Sequence, residues 1–415
     1  MADTLLRIIE EQFMPQPPKR LGVAVSGGGD SMALLSLLAE FARGKECEIH
    51  AISVDHGLRA EARDELRLVT DLAARLGISH HIEYWRGWDG EGNLQERARD
   101  ARYDLMSSWA EANSISHIAL AHTADDQAET FLMRLARGAG VNGLSAMAHR
   151  HVRHGITWLR PLLRVRRQAL REYLQDRDIG WCEDPTNEDT RFERVRVREM
   201  MPLLEELGLM TDTLVHVAHT MNKAREALDW QTFLAAREMV RVVYGALAID
   251  LRLFRTLPDE IARRLLTRAI AWISASGHPP RGAALERMLK AMRDGETSTL
   301  EGCQVSRDKG VVWIYRELNA AQNIESEVGD LWDGRWLVTG PEDDPSLVVR
   351  ALGEDGLAAV QNWRDVGLPR AALLSSPSVW NGDALVAAPV ADPSDEWLAE
   401  LEGGKEAFFA TLLSR

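Results

Sequence analysis

The chain has 415 residues, of which 45% are hydrophobic and 27% charged, enough for two to four globular domains at about 100–200 residues each. Its three cysteines, Cys47, Cys182 and Cys303, include no C-x-x-C pair, which argues against a cysteine-rich zinc site or iron–sulfur cluster and fits free thiols in a reducing compartment. No apolar run approaches the roughly 18 residues that span a bilayer, and the net charge of −14 argues, taken as a sum, against a nucleic-acid partner.

The first 13 residues, MADTLLRIIEEQF, mix acids into an apolar pattern and lack a basic start. They predict an amphipathic helix and no secretory signal, so a cytoplasmic location is expected. Residues 21–26, LGVAVS, predict a strand, and a helix follows from Ser31 to Arg43. A second strand is expected over 47–57, a helix over 60–76, a third strand over 78–85, a helix over 94–113, a fourth strand over 115–122 and a helix from about Thr123. Strand alternating with helix at this spacing predicts an α/β fold, an open parallel sheet with helices on both faces. Ligands bind such sheets at the carboxyl ends of the strands, where Ser26, Asp55, His56 and His122 collect.

Charge is segregated farther along. Residues 131–171 hold nine arginines and no acid, whereas residues 325–355 hold nine acids and two arginines. From about Thr211 to residue 295 the chain reads as helices, with long amphipathic runs at 213–243 and 258–276. Residues 298–316 predict a hairpin turning at Asp308-Lys309-Gly310, and 317–330 a linker. The remainder has short strands, Gly and Pro turns and five of the 13 tryptophans, and predicts a small β-rich domain. The expected division is therefore 1–210, 211–316 and 331–415.

The segment Ser26-Gly27-Gly28-Gly29-Asp30-Ser31 is an anion site by composition. Successive glycines let N–H groups turn toward a phosphate, the following helix adds its positive end, and Ser26 and Ser31 supply hydroxyls. It lacks the G-K-[ST] ending of a Walker loop and is not G-x-G-x-x-G. The pattern S-G-G-x-D-S resembles the pyrophosphate (PP) loop of the N-type ATP pyrophosphatases, which transfer AMP to a substrate oxygen. Asp30 then reads as a Mg²⁺ ligand beside the phosphates.

Asp55 and His56 end the second strand, where they read either as a base or ribose contact or as a strand-end turn. His122, Asp126 and Glu129 fall on one helix face, with Asp125 in the first turn. They read as a pocket for Mg²⁺ or a substrate ammonium, or as a helix start capped by Thr123. Arginines from Arg150 to Arg171 suit phosphate through their two-pronged donors. After Asp184-Pro185-Thr186-Asn187, Arg194, Arg196 and Arg198 alternate with valines, a pattern open to either strand or helix. His80, His81, His216 and His219 read as packing or surface residues.

Together these motifs resemble the bacterial tRNA(Ile)-lysidine synthetases, in their long form. The carriers are SGGGDS at 26–31, VDHGLR at 54–59, ARDARY at 98–103, AHTADDQAET at 121–130, GAGVNGLS at 138–145, RPLL at 160–163 and DPTNEDTRFERVRVR at 184–198. The resemblance implies a ligase that joins L-lysine to C2 of cytidine 34 in the CAU anticodon of a minor tRNA(Ile), through an adenylated cytidine, releasing pyrophosphate and AMP. It implies ATP and Mg²⁺ as cofactors and no membrane, with a homodimer as one assembly and the helical and C-terminal parts as tRNA-binding domains. By the same likeness Asp30, Asp55, His122, Asp125 and Asp126 are the catalytic candidates. Ser26, Gly27, Gly28, Gly29, Asp30, Ser31, His56 and Arg102 are the ATP contacts, with Asp30 and Asp125 as Mg²⁺ ligands. Arg164, Arg167, Arg194, Arg196 and Arg198 are the tRNA contacts, with Arg99 a further candidate for ATP or tRNA. Two positions depart from the family: Val195 stands where Asn is usual, and Thr186 where Ser is usual. A PP-loop tRNA thiolase or amidoligase, and an RNA-binding protein without catalysis, are the rival readings; scattered cysteines argue against a thiolase.

Overall fold

The computed structural model describes residues 2–57, 62–86, 94–183, 189–276, 280, 282–341 and 344–413. Leu58 and Arg59 of the VDHGLR motif, and Asp184, Pro185, Thr186 and Asn187, lie outside the described residues. The chain divides into two compact units, Met1–Arg225 and Glu226–Ser414.

The first unit runs α1 (Ala2–Phe13), β1 (Arg20–Ala24), α2 (Gly29–Ala42), β2 (Glu48–Asp55), α3 (Ala62–Leu76), β3 (Ser79–Tyr84), α4 (Leu94–Ala112), β4 (His117–Ala119) and α5 (Ala124–Ala136). It continues with α6 (Val141–Leu144), β5 (Arg150–Arg153), β6 (Ile156–Leu159), α7 (Arg167–Gln175), α8 (Glu193–Glu206) and α9 (Thr211–Met239), whose last turns belong to the second unit. The six strands lie in the order β3-β2-β1-β4-β6-β5. All pair in parallel except the edge strand β5, which is antiparallel to β6.

The apolar run of β1 reflects burial on both faces, as a central parallel strand requires. On one face Leu21 and Val23 join Leu34, Leu35, Leu38 and Leu170, and α1 adds Leu5, Ile9 and Phe13. On the other, Ile52 and Ile118 pack with Met106, Trp109 and Trp158. Strand order reverses at β1, which pairs with β2 on one side and β4 on the other. The chain leaves β1 and its neighbour β4 in opposite directions, opening a crevice between their carboxyl ends.

Two local readings change. The arginine-rich stretch contains the β5–β6 hairpin, turned by His154 and Gly155, both at positive φ (51° and 71°). The alternating Arg-Val run that left strand and helix open is the start of α8, and Val195 is buried in it.

The second unit corrects the all-helical reading of 211–295. After α9, β7 (Val240–Val243) and β8 (Ala246–Asp250) form a hairpin turned at Tyr244 and Gly245. Helices α10 (Leu251–Arg255), α11 (Asp259–Ser274) and α12 (Ala283–Asp294) follow, then β9 (Ser298–Leu300), β10 (Cys303–Asp308) and β11 (Val311–Arg316). The five strands make one antiparallel sheet, β7-β8-β11-β10-β9, and the hairpin expected at 308–310 is its β10–β11 turn. The stretch 317–330 is part of the fold: it holds a helical turn, Leu318–Ala321, and a short strand, Ser326–Glu327. Two further antiparallel sheets, of four and three strands, enclose Trp332, Val338, Val349 and Val379. Among the described residues no helix is long and apolar enough to cross a membrane.

Candidate active site

The loop between β1 and α2 is held by its own serines. The Ser26 N–H donates to Ser31 Oγ at 3.1 Å, and Ser31 Oγ donates to the Gly28 carbonyl at 2.9 Å. Gly27 adopts φ +84°, and a Cβ there would stand 3.0 Å from Glu65 Cβ, so both conformation and space demand glycine. Gly28 caps α2 without a side chain, leaving the helix start open to an anion. A distant segment closes the loop's other side. The Cys182 N–H donates to the Gly27 carbonyl at 3.0 Å, and the Trp181 ring lies 3.3 Å from where a Gly29 Cβ would be.

Across the crevice, Thr123 caps α5, one of the two readings that the sequence left open. Its N–H donates to Asp126 Oδ2 at 2.7 Å, and the Asp126 N–H returns to Thr123 Oγ1. This capping box holds Asp126 in the first turn. Its other oxygen accepts from Arg194 at 2.7 Å and from Arg167 at 2.9 Å. Burial pushes the Asp126 carboxyl up, but Arg194, Arg167 and the Thr123 N–H together hold it below the usual range.

Arg167, at the start of α7, ties the two sides of the crevice. Its Nε donates to Asp30 Oδ2 at 3.0 Å, and its backbone N–H to Asp125 Oδ2 at 2.7 Å. Asp30 is nonetheless pushed above the usual carboxylate range, because burial outweighs Arg167 and the carboxylates of Asp126 and Asp125 act the same way. Glu129, one turn beyond Asp126, is buried and accepts from Arg194 at 2.5 Å and Arg198 at 2.9 Å. Asp125 also faces Arg166 at 3.7 Å. Four carboxylates, Asp30, Asp125, Asp126 and Glu129, are thus matched with four guanidiniums, Arg166, Arg167, Arg194 and Arg198.

His122 sits beside this network. Burial, reinforced by Arg160, Arg194 and Arg102, lowers its imidazole to about 3 despite Asp126. Arg102 lies on α4, and its Nε is buried with no hydrogen-bond partner among the described residues.

The remaining sequence candidates are placed differently. Asp55 Oδ1 accepts the Gly57 N–H at 2.8 Å, the strand-end turn, and no hydrogen bond or ion pair joins Asp55 to the acid–arginine network among the described residues. His56 meets Trp85 edge-on at 5.8 Å. Arg196 bonds the Thr190 and Arg191 carbonyls, and Arg164 is exposed. Arg167, Arg194 and Arg198, read from sequence as tRNA contacts, have their guanidiniums on carboxylates. Glu129, read from sequence as part of a pocket for Mg²⁺ or an ammonium, is instead a buried acceptor for arginines, and Arg160, read among the phosphate-suited arginines, is buried against His122. The i, i+3 spacing from Asp126 placed Glu129 at the site but did not show its partners on α8.

Among the described residues no group of three or more His, Cys, Asp or Glu side chains is placed to hold a metal ion. Mg²⁺ bound with a polyphosphate needs only one or two carboxylates, so Asp30 and Asp125 fit that role.

The sequence model of the PP-loop domain matches residues 1–205. A tRNA(Ile)-lysidine synthase of Ruegeria pomeroyi is 50% identical over all 415 residues, covering 98% of that protein. One from a Wolbachia of Brugia malayi is 34% identical over 330 residues, 77% of each chain. One from Bradyrhizobium diazoefficiens is 41% identical over 283 residues, 66% of this chain and 78% of that one. The chain belongs to the tRNA(Ile)-lysidine synthase family.

Proposed function

We propose that this protein joins L-lysine to C2 of the wobble cytidine in the CAU anticodon of a minor tRNA(Ile), through an adenylated cytidine. The observation that carries this is the crevice between β1 and β4, where an uncapped phosphate loop faces a charge-balanced set of carboxylates and arginines. ATP supplies the pyrophosphate leaving group and the AMP that makes C2 electrophilic. The backbone of Gly27, Gly28 and Gly29, with Ser26 and Ser31, binds the leaving phosphates. Asp30 and Asp125 would hold Mg²⁺, which would supply positive charge to the phosphate oxygens, and the Arg167 guanidinium beside Asp30 adds to that charge. Asp55 and His56 face the nucleoside, and Arg102 supplies positive charge behind His122. The lysine amine attacks only when neutral, and the carboxylates of the crevice attract its ammonium form and orient it for loss of the proton.

Arg164 and Arg196, with the exposed Arg150, are the phosphate contacts for RNA, and 211–316 and 331–415 bind the body of the tRNA. Buried Cys47 and Cys303 support a reducing, cytoplasmic setting. Incubation with ATP, Mg²⁺, labelled lysine and CAU-anticodon tRNA tests the reading. One lysine should enter the tRNA for each pyrophosphate and AMP formed. Pyrophosphate release with lysine left in solution would assign a different PP-loop chemistry.

A further inference from the structure

Arg160 follows β6 and is 5% exposed, with no carboxylate partner among the described residues. Its Nε donates to His122 Nδ1 at 3.3 Å. Its Nη1 donates to the Ala148 carbonyl at 2.8 Å and lies 3.1 Å from His151 Nδ1. A guanidinium has donors only, so both imidazole Nδ1 atoms accept and carry lone pairs. Each neutral ring then has its proton on Nε2. His122 Nε2 bonds no protein group among the described residues.

We propose that Arg160 is a positioning residue that fixes His122 as a neutral imidazole with its proton on Nε2, so that His122 serves the crevice as a hydrogen-bond donor to a substrate oxygen and not as a base. The nature of that oxygen rests on the proposed function; the tautomer rests on Arg160 alone. To accept a proton at Nε2, His122 would need the opposite tautomer, which points an Nδ1–H at the Arg160 guanidinium. The charged neighbours favour the neutral ring. Arg102 from α4, Arg160 after β6 and Arg194 from α8 all face His122, against the single carboxylate of Asp126 on α5. His151, the second ring on Arg160, is faced by Arg153 and Arg99 and is lowered to about 4, chiefly by burial. A proton leaving the incoming amine is thereby directed to a carboxylate.

The test uses the full chain labelled with ¹⁵N-histidine and long-range proton–nitrogen correlation, His122 being identified by its loss in His122→Gln. The wild type should show the neutral Nε2–H pattern at about pH 7 and still at about pH 5.5. Arg160→Met should bring a growing imidazolium signal over that range, and Arg160→Lys, which keeps a donor, should suppress it. An Nδ1–H tautomer or an imidazolium in the wild type overturns the proposal, whatever the folding of the variants. A second arm reads tRNA-dependent pyrophosphate release. His122→Gln keeps an N–H donor near the Nε2 position and has no basic nitrogen. It should lose no more than about tenfold in kcat, whereas His122→Ala should lose on the order of 10²-fold. Equal loss in both variants overturns the donor role. A wild type that shows the Nε2–H pattern but makes no pyrophosphate refutes the proposed reaction and upholds the lock.

Discussion

Glu129→Gln probes the most buried charge of the crevice. The side chain is 3% exposed, and two guanidiniums one helical turn apart on α8, Arg194 and Arg198, bond it at 2.5 and 2.9 Å. Glutamine preserves the shape but removes the charge and turns an amide NH₂ toward an arginine. Breaking a buried ion pair costs about 3–5 kcal/mol. Here the cost is smaller, because Arg194 and Arg198 are 39% and 33% exposed and Arg194 keeps Asp126 at 2.7 Å. A loss of about 2–3 kcal/mol in the opening free energy of α8 is expected, after that discount for solvent. Hydrogen exchange followed by mass spectrometry on α5 and α8 peptides reads this directly, as exchange about 30- to 150-fold faster. Glu193→Gln, which removes a more exposed partner, that of Arg137, should leave α8 exchange nearly unchanged. An effect of Glu129→Gln below about threefold would show that α8 is held to α5 by packing and not by this carboxylate.

Gly27→Ala should reduce ATP affinity and destabilise the loop by about 1–2 kcal/mol, since it meets both a positive φ and the Glu65 backbone; nucleotide titration with unchanged affinity would contradict this. Charge reversal at Arg150 and Arg164 should weaken tRNA binding and reduce the salt slope by about 0.7–0.9 for each phosphate no longer neutralised; an unchanged slope would place the RNA elsewhere. Acid stability should follow the histidines. His122 and His151 stay neutral in the fold while the unfolded chain takes up protons below about 6.5, so their contribution is complete above that pH and is lost as pH falls toward about 4 and 3. His122 should remove up to about 1.4 kcal/mol per pH unit in that window and His151, which solvent screens, less, and urea midpoints that stay flat between about pH 6.5 and 5 would refute the assignment.

The parallel sheet, the phosphate loop and the Thr123 cap were legible because each is a local pattern: alternating apolar runs, a glycine turn, a capping residue followed by acids. The fate of the arginines was not local. The run from 131 to 171 contains no acid, yet Arg167 bonds Asp30, 137 positions away, and Arg153 bonds Asp100. Arg171 meets Glu183, Arg166 meets Asp212, and Arg134 holds the Gly143 and Ala146 carbonyls. Among the described residues, Arg150 and Arg164 are the two exposed members of the run that form no ion pair or hydrogen bond. The β7–β8 hairpin was hidden because Val240, Val242 and Val243 continue the apolar content of α9, and only the Tyr244-Gly245 turn marks the change of period. Asp55 shows the opposite case, a residue whose visible hydrogen bond is the ordinary turn the sequence also allowed.

The single guanidinium of Arg167 bonds Asp30 on α2 and Asp126 on α5 at 3.0 and 2.9 Å. Those helices follow the two strands on either side of the crevice. Their carboxylates repel each other, and the flat cation between them offsets that repulsion. Arg167 is in this sense a spacer gauge: its planar fork spans the gap between the two carboxylates at the crevice floor. A point charge on a flexible stem, as in lysine, would match its charge and lose its calibration.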